Sequence, residues 1–166
     1  MALRVIALSS LVFLLSLISF AAMATSAKCA YVVRVKTGDV QDASTDSNIS
    51  LKLNTSSGNG FSVDYLEDWG IMEPGHNYFE QGKLDVFSGT GPCLDLCAIT
   101  VVSDGRGTYP GWYSDYVEID VVGCYKSTKV AFPLNQWLDP TAGYNLYAKV
   151  NLCSNFFRLR PILSFV

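Results

Sequence analysis

The sequence predicts an all-β domain, a sandwich or barrel of short strands, on three observations. From Tyr31 onward apolar residues recur with a period of two, as in strands with one dry face. Turn-rich segments interrupt these runs at regular intervals, which is the punctuation of a sandwich or barrel. No stretch carries a helical stripe, and Asn135 to Leu138 is the one place where a single helical turn is expected.

The elements follow in order. Met1 to Ala27 holds one basic residue, Arg4, then an apolar run from Val5 to Ala24, then small residues. This is the pattern of a secretory signal peptide, with cleavage expected after Ala27 and a competing site after Ala24. The domain is then expected over residues 28–153, followed by an apolar tail over 154–166. Tyr31, Val33 and Val35 alternate with Val32, Arg34 and Lys36; Ile49, Leu51 and Leu53 alternate with Ser50, Lys52 and Asn54. Leu84 and Val86 are read as the inward residues of the next strand, against Lys83 and Asp85. Ala98 to Val102 is apolar on both faces and reads as a central strand. Val117, Ile119 and Val121 alternate with Glu118 and Asp120, and Tyr144, Leu146, Ala148 and Val150 with Asn145, Tyr147 and Lys149. Turns are assigned to Thr37–Ser47, Thr55–Gly60, Ser88–Pro92, Ser103–Gly111 and Asp139–Gly143 on their Gly, Pro, Asn, Asp and Ser content.

The formal net charge is −3, spread without a basic stripe, so nucleic acid is an unsuitable partner. All five cysteines, Cys29, Cys93, Cys97, Cys124 and Cys153, follow the leader and therefore meet an oxidising compartment. Two disulfides with one thiol left over are expected. Zinc is the poorer reading, since the spacing Cys93-x-x-x-Cys97 and a single histidine do not make paired ligands. The connectivity stays open: closeness favours Cys93 with Cys97, and Cys29 with Cys153 is the first choice for the second bridge because they bracket the first and last strands. The tail from Ser154 to Val166 is too short to span a bilayer. It is read as a frayed tail or a last segment lying over the sandwich, with an interfacial or partner-binding anchor as the alternative.

Catalysis has little to stand on. His76 is the sole histidine and sits in the turn Pro74-Gly75-His76-Asn77, with no Gly-x-Ser-x-Gly elbow in the chain. Glu67, Asp68, Glu73, Glu80, Asp104 and Asp115 could serve glycoside hydrolysis, but no spacing selects a pair. Two sequons, Asn48-Ile49-Ser50 and Asn54-Thr55-Ser56, bracket one strand on its outward face, and at least one is expected to carry a glycan.

The run from Trp69 to Phe87, its echo in Gly111 to Ile119, and Thr45-Asp46 together resemble the PLAT, or lipoxygenase-homology, domain, especially its small stand-alone plant stress-protein form. The resemblance covers about Cys29 to Cys153. It implies an eight-stranded antiparallel β-sandwich without catalysis, monomeric, secreted to the endoplasmic reticulum or apoplast, that recognises a membrane lipid or a protein partner. Calcium-binding members of the family use an Asp, an Asn and a Glu at positions matched here by Asp46, Asn77 and Glu80, so the resemblance implies these as calcium ligands. This chain departs from the pattern at Ser44, usually Gly; at Tyr78, where some members carry a further Asp; and at Gln81, usually basic. Gln41 stands where relatives often expose a Trp. The family's lipid contacts are aromatic, which points to Trp69 and Trp137, with Trp112 in the core. A carbohydrate-binding sandwich with Trp69 and Trp137 as sugar platforms is the alternative, and a small glycosidase the third reading.

Overall fold

The computed structural model describes residues 28–69, 74–123 and 127–156. The leader expected over 1–27, Glu73, Cys124 and the tail beyond Phe156 lie outside these residues. Eight strands follow one another: β1 (Lys28–Thr37), β2 (Ile49–Asn54), β3 (Gly60–Val63), β4 (Leu84–Pro92), β5 (Ala98–Ser103), β6 (Trp112–Val122), β7 (Ser127–Leu138) and β8 (Tyr147–Asn151). A single helical turn, α1 (Cys153–Phe156), closes the described chain. The strands form two four-stranded sheets, ordered β4-β1-β6-β7 and β3-β2-β5-β8, with every pair antiparallel. This is the expected eight-stranded sandwich. No helix among the described residues is long and apolar enough to cross a membrane.

The alternation in the sequence builds the core directly. Tyr31, Val33 and Val35 of β1 and Ile49, Leu51 and Leu53 of β2 are buried to within about one per cent, facing each other across the two sheets. β5 is central in its sheet, as its apolar character on both faces requires. Trp112, Phe79, Phe87 and Phe132 complete the interior. Full burial of such side chains contributes about 1.5–3 kcal/mol each. In β6 the inward set changes phase, from Trp112 and Ser114 to Val117, Ile119 and Val121. Against β1 the register slips between Lys36 and Thr37, where Asp115 is the extra residue of a bulge in β6; against β7 the extra residue belongs to β7, between Pro133 and Gln136.

Several expectations are corrected. β4 runs on through Ser88–Pro92, which pair with β1 as far as Lys28 instead of turning. Its inward residues are Asp85 and Phe87, while Leu84 and Val86 are 46% and 48% exposed. The cause is register: Leu84 and Val86 pair with Lys36 and Arg34, on the solvent face of β1, and a strand takes its phase from its partner. Asn135 to Leu138 belongs to β7, and β8 begins at Tyr147, three residues later than the alternation suggests. Sequence periodicity gave no sign of β3, whose four residues are too few to show one.

The disulfides join Cys29 to Cys93 and Cys97 to Cys153, with Cα separations of 4.9 and 4.7 Å. The favoured pairing is overturned because the first and last strands lie in different sheets. Cys29 pairs across β1–β4 with Gly91, which brings Cys93 beside it. Cys97 precedes Ala98, the partner of Asn151 on β8, and the Leu152 amide donates to the Cys97 carbonyl at 2.7 Å. Each bridge thus fastens neighbouring chain segments at the edge of its own sheet.

Candidate functional site

Four connections meet at the end of the sandwich opposite the disulfides: 38–48, 74–83, 104–111 and 139–146. Backbone hydrogen bonds tie them together. Gly38 N donates to Tyr113 O, Gly82 N to Gly38 O, Thr45 N to Phe79 O, Asp46 N to Tyr109 O, and Ser103 N to Leu146 O. Gly38 is required here, since a Cβ would lie 2.4 Å from the Tyr113 ring. Gly82 combines a positive φ of 68° with the Asp39 carboxylate against it.

The implied calcium ligands divide between two contacts. Asn77 Nδ2 donates to Glu80 Oε1, and Ser44 Oγ donates to Glu80 Oε2 at 3.1 Å while accepting from Gln81 N at 2.8 Å. Asp46 turns instead to the 104–111 loop, where its Oδ2 accepts from the Tyr109 amide at 3.2 Å and its Cβ packs where a side chain on Gly107 would stand. Among the described residues no three of His, Cys, Asp and Glu converge as metal ligands. Calcium takes six to eight oxygens; Asn77 and Glu80 are bonded to each other, while Asp46 Oδ2 holds the Tyr109 amide. Ser44, the departure from the family glycine, occupies one Glu80 oxygen and Asn77 the other.

The His76 imidazole is exposed and has a partner. Its Nε2 lies 2.8 Å from Oδ1 of Asp85, whose side chain is 1% exposed, and the other Asp85 oxygen accepts from the Phe79 amide at 2.8 Å. Phe79 is held at a φ of 57° and is buried. Tyr78 packs edge-on against His76 and tilted against Phe87, with centroids 4.4 and 5.5 Å away. Burial raises the carboxyl of Glu67 above its ordinary range, and the Asp68 and Asp85 charges add to the effect.

The tryptophans separate. Trp112 is fully buried and its indole N–H donates to Thr37 Oγ1 at 3.0 Å, as expected of a core residue. Trp69 is half-buried, packed with Tyr31 and Phe61, its ring filling the space above Gly89. It packs against the core. Trp137 lies half-exposed against Tyr113, centroids 5.4 Å apart. Three exposed apolar side chains at this end escaped sequence reasoning: Val40 at 41%, Tyr109 at 68% and Tyr144 at 55% exposure. Val40 and Tyr109 sit in segments assigned to turns, among polar neighbours that mask them, and Tyr144, expected in the inward set of the last strand, precedes β8 and is exposed.

Two four-stranded antiparallel sheets capped by a laced set of loops define a β-sandwich interaction module of the lipoxygenase-homology type. The sequence profile of the PLAT/LH2 domain matches residues 31–151, and the chain belongs to that family. It is 39% identical over 150 residues to PLAT domain-containing protein 2 of Arabidopsis thaliana, covering 87% of this chain and 82% of that protein. PLAT domain-containing protein 1 of the same plant is 41% identical over 130 residues, covering 75% and 72%. Among solved structures, a calcium-dependent 11R-lipoxygenase superposes with a TM-score of 0.52 at 28% identity. That match takes in 74% of this chain and 17% of the lipoxygenase, so the likeness is to one part of a much larger chain.

Proposed function

We propose that this chain is a non-catalytic recognition module of the secretory pathway, and that it meets a lipid surface through its loop end. The observation that carries this reading is the exposure of Val40, Tyr109 and Tyr144 on three loops that are hydrogen-bonded or packed against one another. Tyrosine suits an interface because its ring is apolar and its hydroxyl stays wet. Two disulfides support an oxidising compartment. Trp69 is half-buried against Tyr31 and Phe61, which weakens its part in the sugar-platform alternative.

Calcium on Asp46, Asn77 and Glu80 is not needed for this contact: Asn77 and Glu80 bond to each other and Asp46 bonds to the Tyr109 amide. The loop end carries Asp39, Asp42, Asp46 and Asp104 around the apolar residues, and such a rim repels an anionic bilayer. Zwitterionic vesicles are therefore the preferred surface. Flotation with phosphatidylcholine vesicles tests this: the wild type floats, phosphatidylserine vesicles bind less, and Tyr109→Ala with Tyr144→Ala loses binding about tenfold or more, given about 1.5–3 kcal/mol for full burial of an apolar ring. Equal flotation of the double variant would exclude the loop end. A calcium-induced rise in Tm that Glu80→Gln removes would restore the metal site.

A further inference from the structure

We infer that Asn48 and Asn54 both carry N-linked glycans, which cover the outer face of the β3-β2-β5-β8 sheet. The inference rests on the secretory reading above, since the modification belongs to that pathway. Sequons are used on the nascent chain, so the fold acts as a filter: it must leave room for a glycan at each position. Both positions pass. Ile49, Leu51 and Leu53 of β2 are buried to within about one per cent, which sends residues 48, 50, 52 and 54 to the opposite, solvent side. The two acceptors therefore share one face, roughly 20 Å apart at about 3.3 Å per residue.

Their surroundings suit the modification. Asn54 stands between Gly60 on β3 and Ala98 on β5, its register partners. Neither neighbour has a side chain beyond Cβ, so the first sugar has an open seat. Asn48 is exposed, and its Nδ2 donates to Asp104 Oδ2 at 2.9 Å while its backbone N–H donates to Asp104 Oδ1 at 3.1 Å. Glycosylation consumes one of the two Nδ2 hydrogens and leaves the other for Asp104. The transfer is balanced with a lipid-diphosphate-linked oligosaccharide as donor. The sugar C1–O bond to diphosphate breaks, a C1–Nδ2 bond forms, and the amide proton leaves with the lipid diphosphate.

Translation of the full chain in the presence of endoplasmic-reticulum microsomes tests the inference, with protease protection reporting import. Imported wild type is expected to show two mobility steps that endoglycosidase removes, and Asn48→Gln or Asn54→Gln to show one. Ser50→Ala and Ser56→Ala repeat the test without touching either asparagine, so misfolding of a Gln variant does not decide it. Imported chain with one step or none overturns the inference while leaving the secretory reading intact. Chain that stays protease-sensitive overturns both.

Discussion

A buried carboxylate is costly unless its oxygens are hydrogen-bonded, and Asp85 satisfies both of its own, one with His76 and one with the Phe79 amide. Asp85→Ala leaves that amide without its acceptor and is expected to cost about 1–3 kcal/mol, read as a lower urea midpoint at unchanged slope. Asp85→Asn, which keeps an acceptor, is expected to cost less; equal losses would contradict the hydrogen-bonding role. Glu67 gives a pH signature. Its folded-state pKa is raised by burial and then by Asp68 and Asp85, so the folded chain holds this proton more readily than the unfolded one. Stability then falls as pH rises from the ordinary Glu value of about 4.3 through the raised folded value. Glu67→Gln is expected to raise Tm at neutral pH, with the gain vanishing below about pH 4; an identical gain at both would contradict it. Neither residue was legible in the sequence. Asp85 looked solvated because Leu84 and Val86 offered a more apolar phase, and only the register with β1 shows which phase faces inward.

At the scale of elements, the long alternating strands were legible and the short or bulged ones were not. β1 and β2 carry unbroken alternation over buried positions, whereas β6 changes phase at Asp115 and β7 holds Asn135 at a φ of 49°, which reads locally as a turn. The disulfide connectivity depends on which sheet each strand joins, a non-local fact that proximity in sequence misreports. Non-reducing peptide mapping is expected to recover Cys29 with Cys93 and Cys97 with Cys153, and a Cys93–Cys97 peptide would contradict the topology. Removing the second bridge with Cys97→Ser and Cys153→Ser is expected to cost about 2–5 kcal/mol, seen as a lower denaturation midpoint with the strand content retained.

For the whole molecule, the fold was legible because its motifs, Trp69 to Phe87 and Gly111 to Ile119, place side chains that the interior requires, among them Phe79, Phe87 and Trp112. The binding end was less legible because it is assembled from loops distant in sequence. Ser44 meets Glu80, and Asp46 meets Tyr109, only after both sheets have formed. The polarity of the molecule follows: disulfides at one end, exposed Val40, Tyr109 and Tyr144 at the other, and sequons on one outer face. Hydrogen exchange read by mass spectrometry, with and without phosphatidylcholine vesicles, tests this polarity most directly. The account predicts slowed exchange in 38–48, 104–111 and 139–146, with β2 and β5 unchanged. Slowed exchange confined to β4 and β1, beneath the exposed Leu84 and Val86, would contradict it.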